Sequence, residues 1–206
     1  MKLATHNTMS YLPPKQWFLR PLSFLGRCQS IDYQKQYEKG SRAFDLRLYF
    51  DKDDNPEFKH GIFKYSAEDL YDVLRFADFH QMAVRVLLEI RGNFDRNNEE
   101  HRRQAISFYL ECLRFQSTYH NVRLFGGRTT GDGTLIYPFG YSNEPNIIHK
   151  YSSTTSFFKS DNRFLRIIDD WWPWLYARLH NRKNIKEYLE GNDTPGYLYI
   201  DFINIQ

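Results

Sequence analysis

Apolar positions along the chain fall into two rhythms, short runs or alternations and longer stretches at helical spacing. Lys2-Leu3-Ala4-Thr5 is a short apolar run that leads directly into His6-Asn7, and it reads as a strand. Arg42 to Phe50 alternates and then turns apolar, giving a second strand, and Asp51-Lys52-Asp53-Asp54-Asn55-Pro56 is a hairpin-like polar turn. Phe58 to Phe63 follows as a third strand. Ser66-Ala67-Glu68-Asp69 then caps a helix over Ala67 to Gln81 whose apolar face is Leu70, Val73, Leu74 and Ala77. Ala83 to Ile90 is almost wholly apolar, as a buried parallel strand should be. Asn98 to Phe115 predicts a helix with Ala105, Phe108, Tyr109 and Cys112 facing inward. Val122 to Phe125, Ile147 to Tyr151 and Tyr197 to Ile205 read as further strands.

The remaining stretches are less regular. Ile31 to Gly40 predicts a short helix stopped by its glycine. Arg163 to Leu189 reads as helical, bent or split at Pro173 within Trp171-Trp172-Pro173-Trp174. Between Pro13 and Leu25, prolines break up a loop that carries Trp17, Phe18, Leu19, Leu22, Phe24 and Leu25. Two readings fit so apolar a loop: a cover over the core, or a rim that touches a membrane, since tryptophan belongs at lipid interfaces. Gly126 to Gly133 looks phosphate-friendly but lacks the lysine and helix start of a nucleotide-binding loop. Alternation of strand and helix argues for a parallel α/β arrangement, and with no internal repeat or linker residues 1–206 are expected to form a single domain.

Composition narrows the partners. The 206 residues suffice for one substantial core, and 17 Phe, 15 Tyr and 4 Trp favour a folded chain over a disordered one. A net charge of +3 makes no electrostatic case for nucleic acid, although it suits an anionic phosphate or lipid surface. Cys28 and Cys112 have no metal-type spacing and are expected to be free thiols. With no secretory signal and no apolar run of spanning length, the expectation is a soluble protein, cytoplasmic or peripheral to a membrane.

Candidate chemistry clusters at predicted strand ends, where side chains are held rigidly beside open loops. His6 and Asn7 follow the first strand, Asp45 and Arg47 lie on the second, and His60 on the third. Cleaving a phosphodiester next to a free hydroxyl needs a base, an acid and a fixed positive charge for the developing phosphorane. Two imidazoles suit the first two roles and an arginine fork the third.

Thr5-His6-Asn7-Thr8, then Gln36-Tyr37 through Gly40, Arg42 and Asp45-Leu46-Arg47, then His60-Gly61, resemble the catalytic X region of phosphatidylinositol-specific phospholipase C. The metal-independent bacterial branch is the nearer match, with Cys28-Gln29 and Val86-Leu87-Leu88-Glu89-Ile90-Arg91 in support. The resemblance implies a TIM-like, distorted or incomplete parallel β/α barrel lacking the family's last strand. It implies His6 as the base that activates an inositol hydroxyl, His60 as the acid that releases the leaving group, and Asp45 as a positioning carboxylate. Arg47 and Arg91 stand where calcium-dependent relatives carry carboxylates, so neither metal nor cofactor is expected, because two guanidinium groups repel a hard cation. Asn7, Lys64, Arg128 and Tyr151 complete the substrate side, and Trp17 and Phe18 are assigned to a membrane rim.

Several departures bear on function. Asn7 replaces the family's aspartate, His149 and Gly127 stand where an aspartate and an arginine are expected, and the carboxylate orienting the base belongs to the strand that is missing. Asp201 is one substitute. These departures predict a gap or distorted closure beside the first strand and an exposed, poorly oriented His6 that turns over slowly. The partner implied is a phosphorylated lipid or inositol phosphate with peripheral membrane contact. The alternatives are a weakly active phosphate-binding module, or a phosphodiesterase for a non-inositol substrate.

Overall fold

The computed structural model describes residues 2–90, 94–129, 135–136, 148–152, 172–190 and 196–205. In chain order its regular elements are β1 (Lys2–Thr5), α1 (Tyr33–Glu38), β2 (Ala43–Phe50), β3 (Pro56–His60), β4 (Phe63–Tyr65), α2 (Leu70–Phe79), β5 (Ala83–Leu88), α3 (Glu99–Thr118), β6 (Arg123–Thr129), β7 (Leu135–Ile136), β8 (Ile148–Ser152), α4 (Pro173–Ile185) and β9 (Tyr197–Ile200). The chain divides into two compact units, residues 1–44 with 144–206, and residues 45–143. The architecture is mixed α/β.

In the first unit β9 lies between β1 and β8 and runs parallel to both. Its register with β1 is unbroken, from Lys2 opposite Tyr197 to Thr5 opposite Ile200. The other side of β1 pairs in parallel with the start of β2, Thr5 opposite Phe44. The gap expected beside β1 is therefore absent, because β9 fills the neighbouring position itself. Leu3, Leu198, Ile200, Ile203 and Tyr188 form an apolar cluster behind these strands, with Ile31 and Ile185 packed on it. Each such aliphatic side chain contributes roughly 1.5–3 kcal/mol on burial.

Pro173 opens α4, at a position where its missing N–H costs nothing; residues 163–171, the first part of the expected helical stretch, lie outside the description. One expectation for this unit changes. The stretch from Trp17 to Leu25 forms a 3-10 helix in which no residue is buried, so it is not a cover over the core. Trp17 is 76% and Phe18 61% exposed, and Trp172 is also exposed, against Phe24, rather than buried.

In the second unit parallel and antiparallel pairs mix, which departs from the wholly parallel expectation. β2 pairs antiparallel with β3, and β3 with β4. The Asp51 carboxylate accepts from the backbone N–H of Asp53 and Asn55, and this closes the first turn so tightly that the chain folds straight back. Gly61, at φ 58, sits in the second turn. What reads as one strand from Phe58 to Phe63 is thus two hairpin arms. β5 and β6 pair in parallel, and β6 and β7 antiparallel.

Helix α2 buries the expected Leu70, Val73, Leu74 and Ala77. Helix α3 starts at the Asn98 cap, whose side chain accepts from the His101 N–H. Its inward face is rotated from the expected one: Gln104, Phe108, Glu111, Cys112 and Phe115 are buried, whereas Tyr109 is exposed. Polar groups win those positions because they have partners. Gln104 accepts from the Phe50 N–H at 2.9 Å and donates to the Phe50 carbonyl, and Glu111 accepts from the Tyr71 hydroxyl at 2.6 Å.

Gly126 and Gly127 belong to β6 rather than to a loop. Gly126 has φ +116, and a β-carbon there would lie 2.3 Å from the Val86 carbonyl oxygen on β5. Backbone cannot yield that distance without separating the strands. Gly126→Ala should therefore destabilise the protein severely, by roughly 3 kcal/mol or more. A urea midpoint within experimental error of the wild type would contradict this close approach.

Candidate active site

Two groups of polar side chains stand out, one in each unit. The first is built where β1 and β9 end. Because Thr5 faces Ile200, the next residues, His6 and Asp201, come side by side as the strands leave their ladder. The His6 N–H still pairs with the Ile200 carbonyl at 3.0 Å. The His6 Nδ1 then donates to Asp201 Oδ1 at 2.7 Å, with both side chains essentially sealed, at 1% and 0% exposure. A carboxylate at Nδ1 fixes the tautomer, because it can only accept. The basic lone pair of neutral His6 is therefore on Nε2.

This overturns the expectation of an exposed base without a carboxylate. Asp201, next after β9, supplies the orienting group.

Surrounding residues hold the pair in place. Gln29, fully buried, donates through Nε2 to the carbonyls of both His6 and Ile200, at 3.1 and 2.9 Å, and accepts from the Ile203 N–H at 3.1 Å. It ties the ends of the two strands together. Asn181 of α4 donates to the Asp201 carbonyl at 2.7 Å and to the Ile205 carbonyl at 3.0 Å. Ser10 accepts from the N–H groups of Cys28 and Gln29 at 2.9 and 3.0 Å. Each chain then turns away through a left-handed residue, Asn7 at φ 46 and Phe202 at φ 48. Asparagine tolerates that conformation, while for phenylalanine it costs about 1–3 kcal/mol. Asn7 is buried beside His6.

The second group lies in the other unit. Asp45 is fully buried on β2 and meets two guanidinium groups. The Arg47 Nε donates to its Oδ2 at 3.2 Å, and Arg85 Nη1 lies 3.5 Å from its Oδ1. Arg47 also faces Glu89 at 3.6 Å. The four charges cancel in sum, so two arginines are kept close together in a largely buried setting without net repulsion. Sequence reasoning placed Asp45 and Arg47 and missed Arg85 and Glu89. The alternation of β5 could have pointed to Arg85, a charge inside an otherwise apolar strand.

The other expected residues are distributed as follows. His60 ends β3, at the hairpin turn, half-buried opposite Phe63. Lys64 on β4 makes an ion pair with Glu57 at 3.0 Å and lies over the Tyr49 ring, its nitrogen 4.3 Å from the centroid. Arg91 lies outside the described residues. Arg128 and Tyr151 fall on β6 and β8, with their side chains outside the description. Trp17 and Phe18 meet edge to face, ring centroids 6.1 Å apart. Among the described residues no helix is long and apolar enough to cross a membrane. Cys28 and Cys112 are both buried thiols, not joined in a disulfide.

No family model matches the chain, and no curated protein matches its sequence. Solved structures do match. The phosphatidylinositol-specific phospholipase C of Listeria monocytogenes superposes with a TM-score of 0.60 at 16% identity, over 98% of this chain and 87% of that one. A double mutant of the Staphylococcus aureus enzyme gives 0.56 at 13%, over 98% and 84%. A further structure of the S. aureus enzyme, concerned with modulation of its membrane binding, gives 0.56 at 13%, over 98% and 85%. Identities this low speak for architecture alone. The chain has the fold of the bacterial phosphatidylinositol-specific phospholipases C.

Proposed function

We propose that the protein is a metal-independent phosphodiesterase of the phospholipase C type, with residues 1–206 acting as one catalytic domain on a distorted, TIM-like α/β fold. The observation that carries this reading is the buried 2.7 Å hydrogen bond from His6 to Asp201. A carboxylate-oriented imidazole is the device for taking a proton from a hydroxyl, and the fold is one whose solved members cleave phosphatidylinositol by name.

In this reading the His6 Nε2 removes the proton of a substrate hydroxyl, which attacks the adjacent phosphorus. Asp201 stabilises the imidazolium that results and keeps its ring in place. His60 protonates the departing oxygen, a role it takes from the resemblance of its His-Gly turn. Arg47, held by Asp45, offsets the charge that develops on the phosphoryl oxygens, with Arg91 as a second contact. Asn7, Lys64, Arg128 and Tyr151 line the substrate side. Substrate is a phosphorylated lipid or an inositol phosphate diester, and no metal takes part. Trp17 and Phe18, large and mostly exposed on a short helix, suit contact with a lipid surface.

Three outcomes are expected. His6→Ala should abolish release of a cyclic phosphate from a phosphatidylinositol substrate, and Asp201→Asn should lower kcat on the order of 10^3–10^4-fold by losing the tautomer control. Substantial turnover by Asp201→Asn in a folded variant would remove the base assignment. Turnover by the wild type should survive a chelator, while Arg47→Ala should cost on the order of 100-fold or more; a requirement for added calcium would refute the arginine role. Finally, Trp17→Ala with Phe18→Ala should weaken sedimentation with anionic vesicles and spare hydrolysis of a soluble diester. Equal vesicle binding by this double variant and the wild type would count against the rim.

A further inference from the structure

The His6–Asp201 pair has a third neighbour that the proposed chemistry does not use. A ring nitrogen of His6, the sulfur of Cys28 and a carboxylate oxygen of Asp201 all lie within 4.8 Å of one another, and all three residues are buried. Asp201 spends one oxygen on His6, while its other oxygen, Oδ2, is buried with no hydrogen-bond partner among the described residues. A sealed, unsatisfied carboxylate oxygen is costly and needs an explanation. The backbone also fixes the thiol's position, since the Cys28 N–H donates to Ser10 and its carbonyl accepts from the Phe202 N–H at 2.6 Å.

We infer that His6, Cys28 and Asp201 form a binding site for a zinc ion, and that zinc there switches the protein off. The donor set is one nitrogen, one sulfur and one oxygen, which suits a borderline-soft ion and not calcium or magnesium. Tetrahedral zinc places such ligand atoms about 3.3–3.7 Å apart, given bonds of about 2.0 Å to N and O and 2.3 Å to S. The present spacings, from 2.7 Å between His6 and Asp201 to at most 4.8 Å overall, bracket that range, so side-chain adjustments of about 1 Å complete the site. Three protein ligands leave the fourth position for water or a phosphoryl oxygen.

The protons balance simply. Zinc takes the place of the hydrogen between His6 Nδ1 and Asp201, and that proton moves to Nε2. The Cys28 thiol loses its proton to solvent and ligates as thiolate. With Nε2 protonated, His6 has no lone pair to offer a hydroxyl. The inhibitory half of this inference rests on the reading of His6 as the base, whereas the metal site stands on geometry alone.

The test uses the full chain and cobalt(II) as a spectroscopic substitute for zinc. One equivalent of Co2+ should give a thiolate-to-cobalt charge-transfer band, which Cys28→Ser and Cys28→Ala abolish. Cys112→Ser should retain it, because burial in α3 pushes the Cys112 thiol well above its ordinary range and away from metal binding. Zn2+ should displace Co2+ and inhibit turnover, with reversal by chelator, and Cys28→Ser should raise the concentration for half-inhibition on the order of 100-fold while keeping its activity without zinc. Absence of the band in the wild type, or its survival in the Cys28 variants, would overturn the site. Tight binding through Cys28 with turnover undiminished would leave the site standing and sink the base role of His6.

Discussion

The parallel pairing of β1 with β9 is the constraint from which the rest of the first site follows. Four residues in unbroken register put Thr5 opposite Ile200, so His6 and Asp201 emerge side by side. A strand's side chains alternate faces, so a slip of one residue would set His6 against the wrong face of its neighbour and break the hydrogen bond. Register in turn is specified by what is buried: Leu3, Leu198 and Ile200 enter one apolar cluster, and each would be exposed by the same slip. Packing energy thus fixes the position of the His6–Asp201 hydrogen bond, and the hydrogen bond itself contributes little to that choice.

Stabilisation and strain meet at the same place. Phe202 adopts a left-handed conformation that a bulky residue ordinarily avoids, directly after the carboxylate. The turn persists because it is over-determined: its N–H bonds to Cys28, the Asp201 and Ile205 carbonyls bond to Asn181, and Ile203 bonds to Gln29. Asp45 follows a similar logic in the other unit. A fully buried carboxylate would be strongly penalised alone, yet two guanidinium groups offset its charge while Glu89 faces the second cation.

Much of this was readable from residue order. The apolar runs located β1, β2, β5 and β9, and helical spacing located the buried face of α2. What failed did so for identifiable reasons. Hairpin arms β3 and β4 merged into one strand because the turn between them is marked by a single glycine, Gly61, with apolar Ile62 and Phe63 directly after it. The face of α3 was misjudged because Gln104 and Glu111 look solvent-facing until Phe50 and Tyr71 are found beside them. Gly126 read as loop punctuation, while its true reason is a neighbouring backbone that leaves no room for a side chain. Gln29 was legible only as part of the Cys28-Gln29 motif, because a clamp between two strand ends has no periodicity. Asp201 was named as a substitute for the missing carboxylate, but no local pattern says that its strand lies beside the first.

His6 and its carboxylate partner Asp201 are 195 positions apart in the chain. Such a pairing closes a long loop, and its entropic cost is met only when the intervening structure has already condensed. The imidazole therefore stays unoriented in any partly folded state, so a chain that has lost its tertiary order carries a histidine with no orienting carboxylate. Orientation of His6 becomes a property of the completed topology rather than of any segment, so a probe of its hydrogen bond to Asp201 reports global folding.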